Sequence, residues 1–293
     1  KLFQDLRQNK VKNVAVCLLV INKIVELPSI AINSIQETSH APIYVGYLKE
    51  EDLGELKNRE NLNFVNLNDY WEEKLGDSDY QEFNSESFLK LVVLKWALLL
   101  KLLSMQYHLV IYSDLDVIWS SDVAHDLLQS HLKQRNIKIM IQSMTESMVD
   151  PKLCMGIVSI WNCETTIDFI KECQQRHQKF TDEGRYIGDD DVITSLYHEL
   201  DFPNWIAELP QSTYPVGKFA NLYAKKEIFP GLRQKTPMIF HANYVVCLRN
   251  KRLLLRIISK QLGLQDGIKL SFKWKFILLA KRLRLIGRRI QRN

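Results

Sequence analysis

Residues 109–119 read Leu-Val-Ile-Tyr-Ser-Asp-Leu-Asp-Val-Ile-Trp, so an apolar strand leads directly into two carboxylates, Asp114 and Asp116. On extended backbone, their i, i+2 spacing turns both side chains to the same side. Open α/β sheets bind ligands beyond the C-terminal ends of their strands, which is where these carboxylates would lie. Oxygen ligands of this kind suit Mg²⁺ or Mn²⁺, cations that bridge phosphate oxygens. The alternative interpretation is a pair of polar turn residues without a ligand.

Strand and helix patterns alternate around this stretch. Short apolar runs predict strands at residues 14–21, 42–48, 64–67, 109–113, 137–141 and 157–160. Helical patterns begin at Pro28 and at Ser85, the second reaching about Gln106, and recur at 165–180 and 189–199, with a short helix capped by Ser121. This alternation predicts an open, mostly parallel α/β sheet flanked by helices.

The composition is that of a globular chain with a sizeable core. Its 293 residues are 46% hydrophobic and 25% charged, and Gly and Pro are scarce, which excludes collagen-like and low-complexity chains. The five cysteines form no CxxC pair, which argues against a disulfide framework or a structural zinc site and favours a reducing compartment. No apolar run reaches the roughly 18 residues that a membrane span needs.

The net charge of +5 is divided unevenly along the chain. Residues 243–293 contain 14 Lys and Arg but only one acid, Asp266, whereas the preceding residues carry a net charge of −8. Apolar residues recur at helical spacing from Phe272 to Ile290, with most basic residues off that stripe. We therefore predict a domain at residues 1–250 and a basic amphipathic helical tail at 251–293.

This tail predicts a contact with an anionic surface. Over residues 268–292 it is expected to lie on an anionic membrane, each basic group contributing about 1 kcal/mol. Nucleic acid is the less favoured partner because no nucleic-acid motif accompanies the charge. A solvated helix packed on the domain is the other alternative. The expected localisation is cytoplasmic and peripherally membrane-associated.

Four motifs in order resemble the nucleotide-diphospho-sugar transferases of the GT-A fold, and most closely glycosyltransferase family 77. They are the Asp114–Asp116 stretch after a helix carrying Lys95, the Met155-Gly156 strand, Gly188-Asp189-Asp190-Asp191, and His241-Ala242-Asn243-Tyr244 followed by Lys251. The sequence departs from the family pattern at four positions. Asp190 stands where Gln is usual and Thr194 where Asn is usual, and Cys154 and Cys247 replace Asn and Gly.

The resemblance implies a GT-A (Rossmann-like) open mixed sheet and a glycosyltransferase that uses a UDP-sugar, a glycan or glycoconjugate acceptor and Mn²⁺ (or Mg²⁺). It implies retention of anomeric configuration, either by double displacement, with Asp190 as the candidate nucleophile, or by front-face attack without an enzyme nucleophile. It also implies three sets of site residues. The metal ligands would be Asp114, Asp116 and His241; the donor-binding residues Asp114, Lys95, Gly156, Asn243 and Lys251; and the catalytic residues Asp190 and Asp189.

Each site residue also has a purely structural interpretation. His241 could be a satisfied histidine at a strand end, Lys251 one solvated member of the tail, and Lys95 a surface interruption of an apolar helix face. The acidic cluster at 189–191 could simply favour a helix start. Four aromatic residues between that cluster and His241 suggest an acceptor region or ordinary packing: Trp205, Tyr214, Phe219 and Tyr223.

Two other functions fit the sequence less well. A haloacid-dehalogenase-like, Mg²⁺-dependent phosphohydrolase also uses a strand followed by Asp-x-Asp. That family normally carries the pair on its first strand, whereas three predicted strands precede it here. A non-catalytic, basic-tailed membrane scaffold built on a degenerate transferase domain is the second alternative.

Overall fold

The computed structural model describes residues 13–21, 26–70, 85–144, 151–216, 237–243 and 248–264. Several sequence predictions lie outside these ranges. They concern the tail helix at 268–292, the aromatic residues Phe219 and Tyr223, and the motif residues Tyr244 and Cys247.

The first part of the chain builds a parallel sheet with connecting helices. Its elements are β1 (Val14–Val20), α1 (Glu26–Thr38), β2 (Ile43–Tyr47), α2 (Glu50–Leu53) with a 3-10 turn at Gly54–Asn58, β3 (Leu62–Asn66) and a 3-10 turn at Asn68–Tyr70. β2 pairs in parallel with both β1 and β3. Six of the seven residues of β1 are buried, which explains its unbroken apolar sequence.

The long helix predicted from Ser85 is two helices, α3 (Glu86–Val92) and α4 (Leu94–Ser104), separated at Val93. Its start is as predicted, because the Ser85 hydroxyl accepts a hydrogen bond of 3.2 Å from the Phe88 N–H. β4 (Leu109–Ser113) follows and pairs in parallel with β1. β4 is buried along its whole length and leads to Asp114.

The second part of the chain makes the sheet mixed. Its elements are β5 (Val117–Trp119), α5 (Val123–Lys133), β6 (Ile139–Ser143), β7 (Leu153–Trp161), α6 (Glu164–Asp182), α7 (Asp189–Glu199), β8 (Ile206–Leu209), β9 (Ile239–His241) and α8 (Leu248–Gln261). β7 is antiparallel to both β4 and β6, and the strand order is β3-β2-β1-β4-β7-β6-β8. The expected open mixed sheet is confirmed.

The strand predicted at 157–160 is confirmed as part of β7, which begins earlier, at Leu153, because its first residues pair with β6. One local prediction in this part was wrong. The cap of α5 is Asp122 and not Ser121, because the Asp122 carboxylate accepts from the His125 N–H at 3.1 Å.

Helices cover both faces of the large sheet, since side chains on successive strand residues alternate between two cores. Ala15 and Cys17 of β1 pack with the core that includes α4, α6 and α7. Val16 and Leu18 pack with the core that includes α1 and α5. The helices leave uncovered the edge of the sheet formed by the C-terminal ends of the parallel strands. Asp114 lies at this edge, directly after β4.

Helix α8 packs on the domain beside α1. Its Leu255 and Ile258 are buried with Ile30, Ile118 and Phe240. The predicted domain boundary after residue 250 falls inside this helix. Leu255 and Ile258, which follow the boundary, are packed on the domain. Within the described residues, no helix is long and apolar enough to cross a membrane.

Candidate active site

The two carboxylates that follow β4 lie in a turn. Asp114, Leu115 and Asp116 connect β4 to β5, and the Val117 N–H donates to the Asp114 carbonyl at 3.2 Å. The prediction of extended backbone at Asp114 and Asp116 was therefore wrong. The turn nevertheless directs both carboxylates to one place, because one ligand atom from each comes within 4.8 Å of the other and of a nitrogen of His241.

The small second sheet brings His241 to this turn. β5 and β9 are antiparallel, with Val117 opposite His241, and the Ala242 N–H donates to the Asp116 carbonyl at 3.0 Å. His241 is 2% exposed, and its Nε2 lies 3.3 Å from Asp116 Oδ1. A residue distant in sequence thus joins the acidic pair.

Gln142 of β6 holds the other nitrogen of the His241 ring. The Gln142 amide nitrogen donates to the carbonyls of Tyr214 (3.2 Å) and Pro215 (3.4 Å). Its oxygen therefore faces His241 Nδ1 at 3.1 Å, so Nδ1 is the donor in that bond. Gln142 was not among the predicted site residues, although an amide directly after the apolar run 139–141 was a possible signal.

These contacts fit a divalent cation. With the proton on Nδ1, His241 Nε2 presents a lone pair to the Asp116 carboxylate, and two acceptors face each other. Nε2 is buried and has no hydrogen-bond partner among the described residues. A cation between two carboxylates and an imidazole nitrogen removes that repulsion, so Asp114, Asp116 and His241 could together hold a metal ion.

Lys95 links the acidic pair to the start of α7. Its Nζ lies 2.9 Å from Asp114 Oδ1 and 2.7 Å from Asp189 Oδ2, and the residue is 8% exposed. Burial opposes the charged form, but Asp114 and Asp189 outweigh it and raise the pKa of Lys95 well above its ordinary value. The interpretation of Lys95 as a surface residue is wrong.

Lys251 of α8 reaches the second carboxylate of the turn. Its Nζ donates to Asp116 Oδ2 at 2.6 Å, which overturns the interpretation of Lys251 as a solvated tail residue. Burial acts to raise the pKa of Asp116, but the Lys251 ammonium opposes it and holds that pKa far below its ordinary value. Asp116 is therefore an ionised carboxylate beside a potential phosphate-binding cation.

Gly156 makes space for the His241 ring. A Cβ atom added at Gly156 would lie 2.0 Å from His241 Cε1 and 2.8 Å from Gln142 Oε1, well inside contact distance. The Gly156 carbonyl also accepts from the Asp114 N–H at 2.8 Å. Nearby, Asn243 Nδ2 lies 3.9 Å from Cys154 Sγ. The structure thus places Gly156 and Asn243 beside the candidate metal ligands.

Asp190 and Thr194 bind backbone N–H groups at the buried start of β7. β4 pairs with β7 only as far as Ile157, so the earlier N–H groups of β7 need other partners. Asp190 Oδ1 accepts from the Met155 N–H at 2.6 Å, and Thr194 Oγ1 accepts from the Leu153 N–H at 3.0 Å. Burial, followed by the neighbouring Asp189, raises the pKa of Asp190 well above its ordinary value.

The two described aromatic residues of the predicted acceptor region serve in packing. Trp205 makes an edge-to-face contact with Phe169, with ring centroids 5.3 Å apart. Tyr214 is 2% exposed and its hydroxyl donates to Asp126 at 2.7 Å. The buried Tyr214 ring presents no open face for a sugar, although the Tyr214 carbonyl supports the site through Gln142.

The chain resembles solved glycosyltransferase structures at low sequence identity. For the apo structure of the bifunctional glycosyltransferase WbbM, the TM-score is 0.53 and the identity 14%, over 86% of this chain and 50% of that chain. For apo mouse xyloside xylosyltransferase 1, the TM-score is 0.48 and the identity 13%, over 79% of this chain and 98% of that chain. For GlyE of Streptococcus pneumoniae TIGR4, the TM-score is 0.49 and the identity 14%, over 86% of this chain and 64% of that chain. The chain thus spans half of WbbM and less than two thirds of GlyE. At such identities the likeness concerns the fold.

The sequence itself identifies the family. A search of curated protein sequences gives no match. Residues 55–255, more than half of the chain, match the family described as nucleotide-diphospho-sugar transferase. The match includes both carboxylates of the turn, Gly156, the start of α7 and His241, and it favours a transferase over the phosphohydrolase alternative. The chain therefore belongs to the nucleotide-diphospho-sugar transferases and is a glycosyltransferase of the GT-A fold.

Proposed function

We propose that this glycosyltransferase moves a sugar from a UDP-sugar to a hydroxyl group of a glycan or glycoconjugate, with a divalent cation and with retention of anomeric configuration. The observation that carries the proposal is the convergence of Asp114, Asp116 and His241 within 4.8 Å at the C-terminal edge of the sheet. Lys95 contacts Asp114 of this set, and Lys251 contacts Asp116. The specific likeness to glycosyltransferase family 77 is part of the proposal.

The chemistry of the site follows from the charge of a departing diphosphate. A bound divalent cation would act as a Lewis acid that neutralises this charge. We propose Mn²⁺, because an imidazole ligand suits Mn²⁺ better than Mg²⁺. Lys251 would contact the β-phosphate as a point charge, while Lys95 holds Asp114 and Asp189 in place. Gly156 and Asn243 would border the bound donor.

Retention assigns roles to the start of α7. An α-linked donor would give an α-linked product, and Asp189 and Asp190 would bind the donor sugar or support its oxocarbenium-like centre. Lys95 joins Asp189 directly to the carboxylates of the turn. The bond from the Met155 N–H to Asp190 favours a hydrogen-bonding role for Asp190 and front-face attack over a covalent sugar intermediate.

Thermal denaturation with UDP and Mn²⁺ tests the donor and metal. Both together should raise the melting temperature more than either alone, because a ligand that binds only the folded state stabilises it. Asp116→Asn should abolish the combined effect. Asp122→Asn, which keeps the cap of α5, should leave it intact. No response of the wild-type protein to UDP with Mn²⁺ would reject the proposal, and a donor-hydrolysis screen over UDP- and GDP-sugars would identify the base and sugar.

We also propose that residues 268–292 bind an anionic membrane surface, at the cytoplasmic face. The support is the sequence alone, with its clustered Lys and Arg and the helical spacing of its apolar residues. The full chain should co-sediment with vesicles containing phosphatidylserine and much less with phosphatidylcholine vesicles. A chain ending at residue 264 should lose this binding, and equal binding by both chains would reject the membrane role.

A further inference from the structure

Gln142 occupies a distorted place in the sheet. The pairing of β6 with β7 shifts between Ile141 and Gln142, whose partners are Val158 and Cys154. Residues 155–157 of β7 are thus passed over in the pairing with β6. Such irregularities redirect side chains. Here the fully buried Gln142 side chain lies beside Gly156 and the His241 ring.

The orientation of the Gln142 amide is determined by its neighbours. The backbone carbonyls of Tyr214 and Pro215 can only accept hydrogen bonds, so the NH₂ group must face them. The amide oxygen then faces His241 Nδ1 at 3.1 Å. An oxygen acceptor at this distance requires a proton on Nδ1.

The alternative tautomer would close the metal site. A proton on His241 Nε2 would be directed at Asp116 Oδ1, 3.3 Å away, and would remove the lone pair that a metal needs. It would also leave Nδ1 and the Gln142 oxygen as two acceptors in contact. Gly156 lies against the ring, so the ring has little room to move away.

We propose that Gln142 is a positioning residue that accepts a hydrogen bond from His241 Nδ1–H and thereby directs Nε2 of the ring at Asp114 and Asp116. The metal-binding consequence rests on the proposed function, whereas the bond from Nδ1–H to Gln142 is a property of the protein without metal. Gln142 also connects the metal site to the loop at 210–216 through the carbonyls of Tyr214 and Pro215.

The wild-type protein without metal provides the first test. Nitrogen-15 NMR of the histidine rings at pH 8, above the ordinary His pKa, distinguishes a protonated from an unprotonated ring nitrogen. The signals of His241 are identified by their loss in His241→Gln. We expect a protonated Nδ1. An unprotonated Nδ1 would overturn the proposal without any Gln142 variant.

Variants of Gln142 provide the second test. Gln142→Leu should shift the proton to Nε2, towards Asp116, and weaken Mn²⁺ binding by about 10–100-fold, the usual effect of losing a partner of a ligand histidine. Gln142→Glu keeps an acceptor and should keep the Nδ1–H form. Tyr214→Phe, which removes the bond to Asp126 but leaves the Tyr214 carbonyl, is the matched control. It should change neither the protonation of the His241 ring nor the affinity for Mn²⁺.

An unchanged tautomer in folded Gln142→Leu would overturn the proposal. If the wild type has the expected tautomer but does not bind Mn²⁺, the assignment stands and the proposed metal function fails.

Discussion

At the scale of single residues, the site depends on the absence of a side chain at Gly156. The family resemblance suggested that this glycine binds the donor. The structure supplies a different reason, because the His241 ring and the Gln142 amide lie where a Cβ atom would be. This requirement arises between strands that are remote in sequence, so no local pattern reveals it.

Gly156→Ala should displace His241 and weaken Mn²⁺ binding by at least about 10-fold, at a stability cost of about 1–3 kcal/mol for overpacking. Isothermal titration with Mn²⁺ and urea denaturation measure the two effects. Gly188→Ala is the matched control, since the nearest atom to its added Cβ would be 3.8 Å away. Equal Mn²⁺ affinity in both variants would show that His241 is not a ligand.

Asp190→Asn should keep sugar transfer within about 10-fold of the wild type, because the amide oxygen can still accept from the Met155 N–H. Burial, and after it Asp189, raises the pKa of Asp190, which disfavours the ionised form that a nucleophile needs. Asp190→Ala should lose more activity, because it leaves a buried N–H without its partner. Initial rates with the identified donor measure this. Equal loss of about 1000-fold in both variants would instead indicate a covalent nucleophile.

At the scale of secondary-structure elements, α8 completes the site from the C-terminal side. The charge pattern assigned this region to a tail beginning at residue 251. Apolar residues on the inner face of α8 instead pack against α1 and β5, and this packing carries Lys251 to Asp116. Periodicity indicated an amphipathic helix but could not say which surface it covers, because that surface is formed by other elements.

Lys251→Met should lower the melting temperature without metal, because it leaves the Asp116 carboxylate without its nearest cation. Added Mn²⁺ should restore much of the loss, since a cation on Asp116 replaces the missing charge and no longer competes with Lys251. Thermal scans across a Mn²⁺ series measure the recovery. Arg249→Met, on the exposed side of the same helix, is the control. A loss that is the same with and without Mn²⁺ would contradict a metal at Asp116.

At the scale of the whole molecule, the buried His131 makes folding stability sensitive to acid. Its ring nitrogens contact the Ile137 carbonyl (3.2 Å) and the Ser159 hydroxyl (2.9 Å), joining α5 to the sheet. Burial disfavours the charged imidazole and lowers the pKa of His131 to about 4. Between pH 6.5 and 4 the unfolded chain therefore binds a proton that the folded chain does not, and stability falls as the pH falls.

Lowering the pH from 7.5 to 4.5 should cost the wild type about 2–3 kcal/mol through His131, at 1.36 kcal/mol per pKa unit. His131→Gln should remove this part of the pH dependence, even if it lowers stability at both pH values. Urea denaturation at the two pH values measures it. His125→Gln, at an exposed position of the same helix, should retain the full dependence. Parallel pH profiles of unfolding free energy for wild type and His131→Gln would mean that His131 does not cause this loss of stability.

The sequence by itself determined the α/β class, most strand positions and the residue types of the site. These depend on local properties, namely burial periodicity, capping and the appearance of carboxylates where a buried strand ends. The tertiary structure decided that β7 runs antiparallel between β4 and β6, and that Asp114 and Asp116 lie in a turn. It also decided that Gln142, Gly156 and Lys251 surround His241 and Asp116. Strand direction and such contacts depend on packing between distant segments, and no local pattern encodes them.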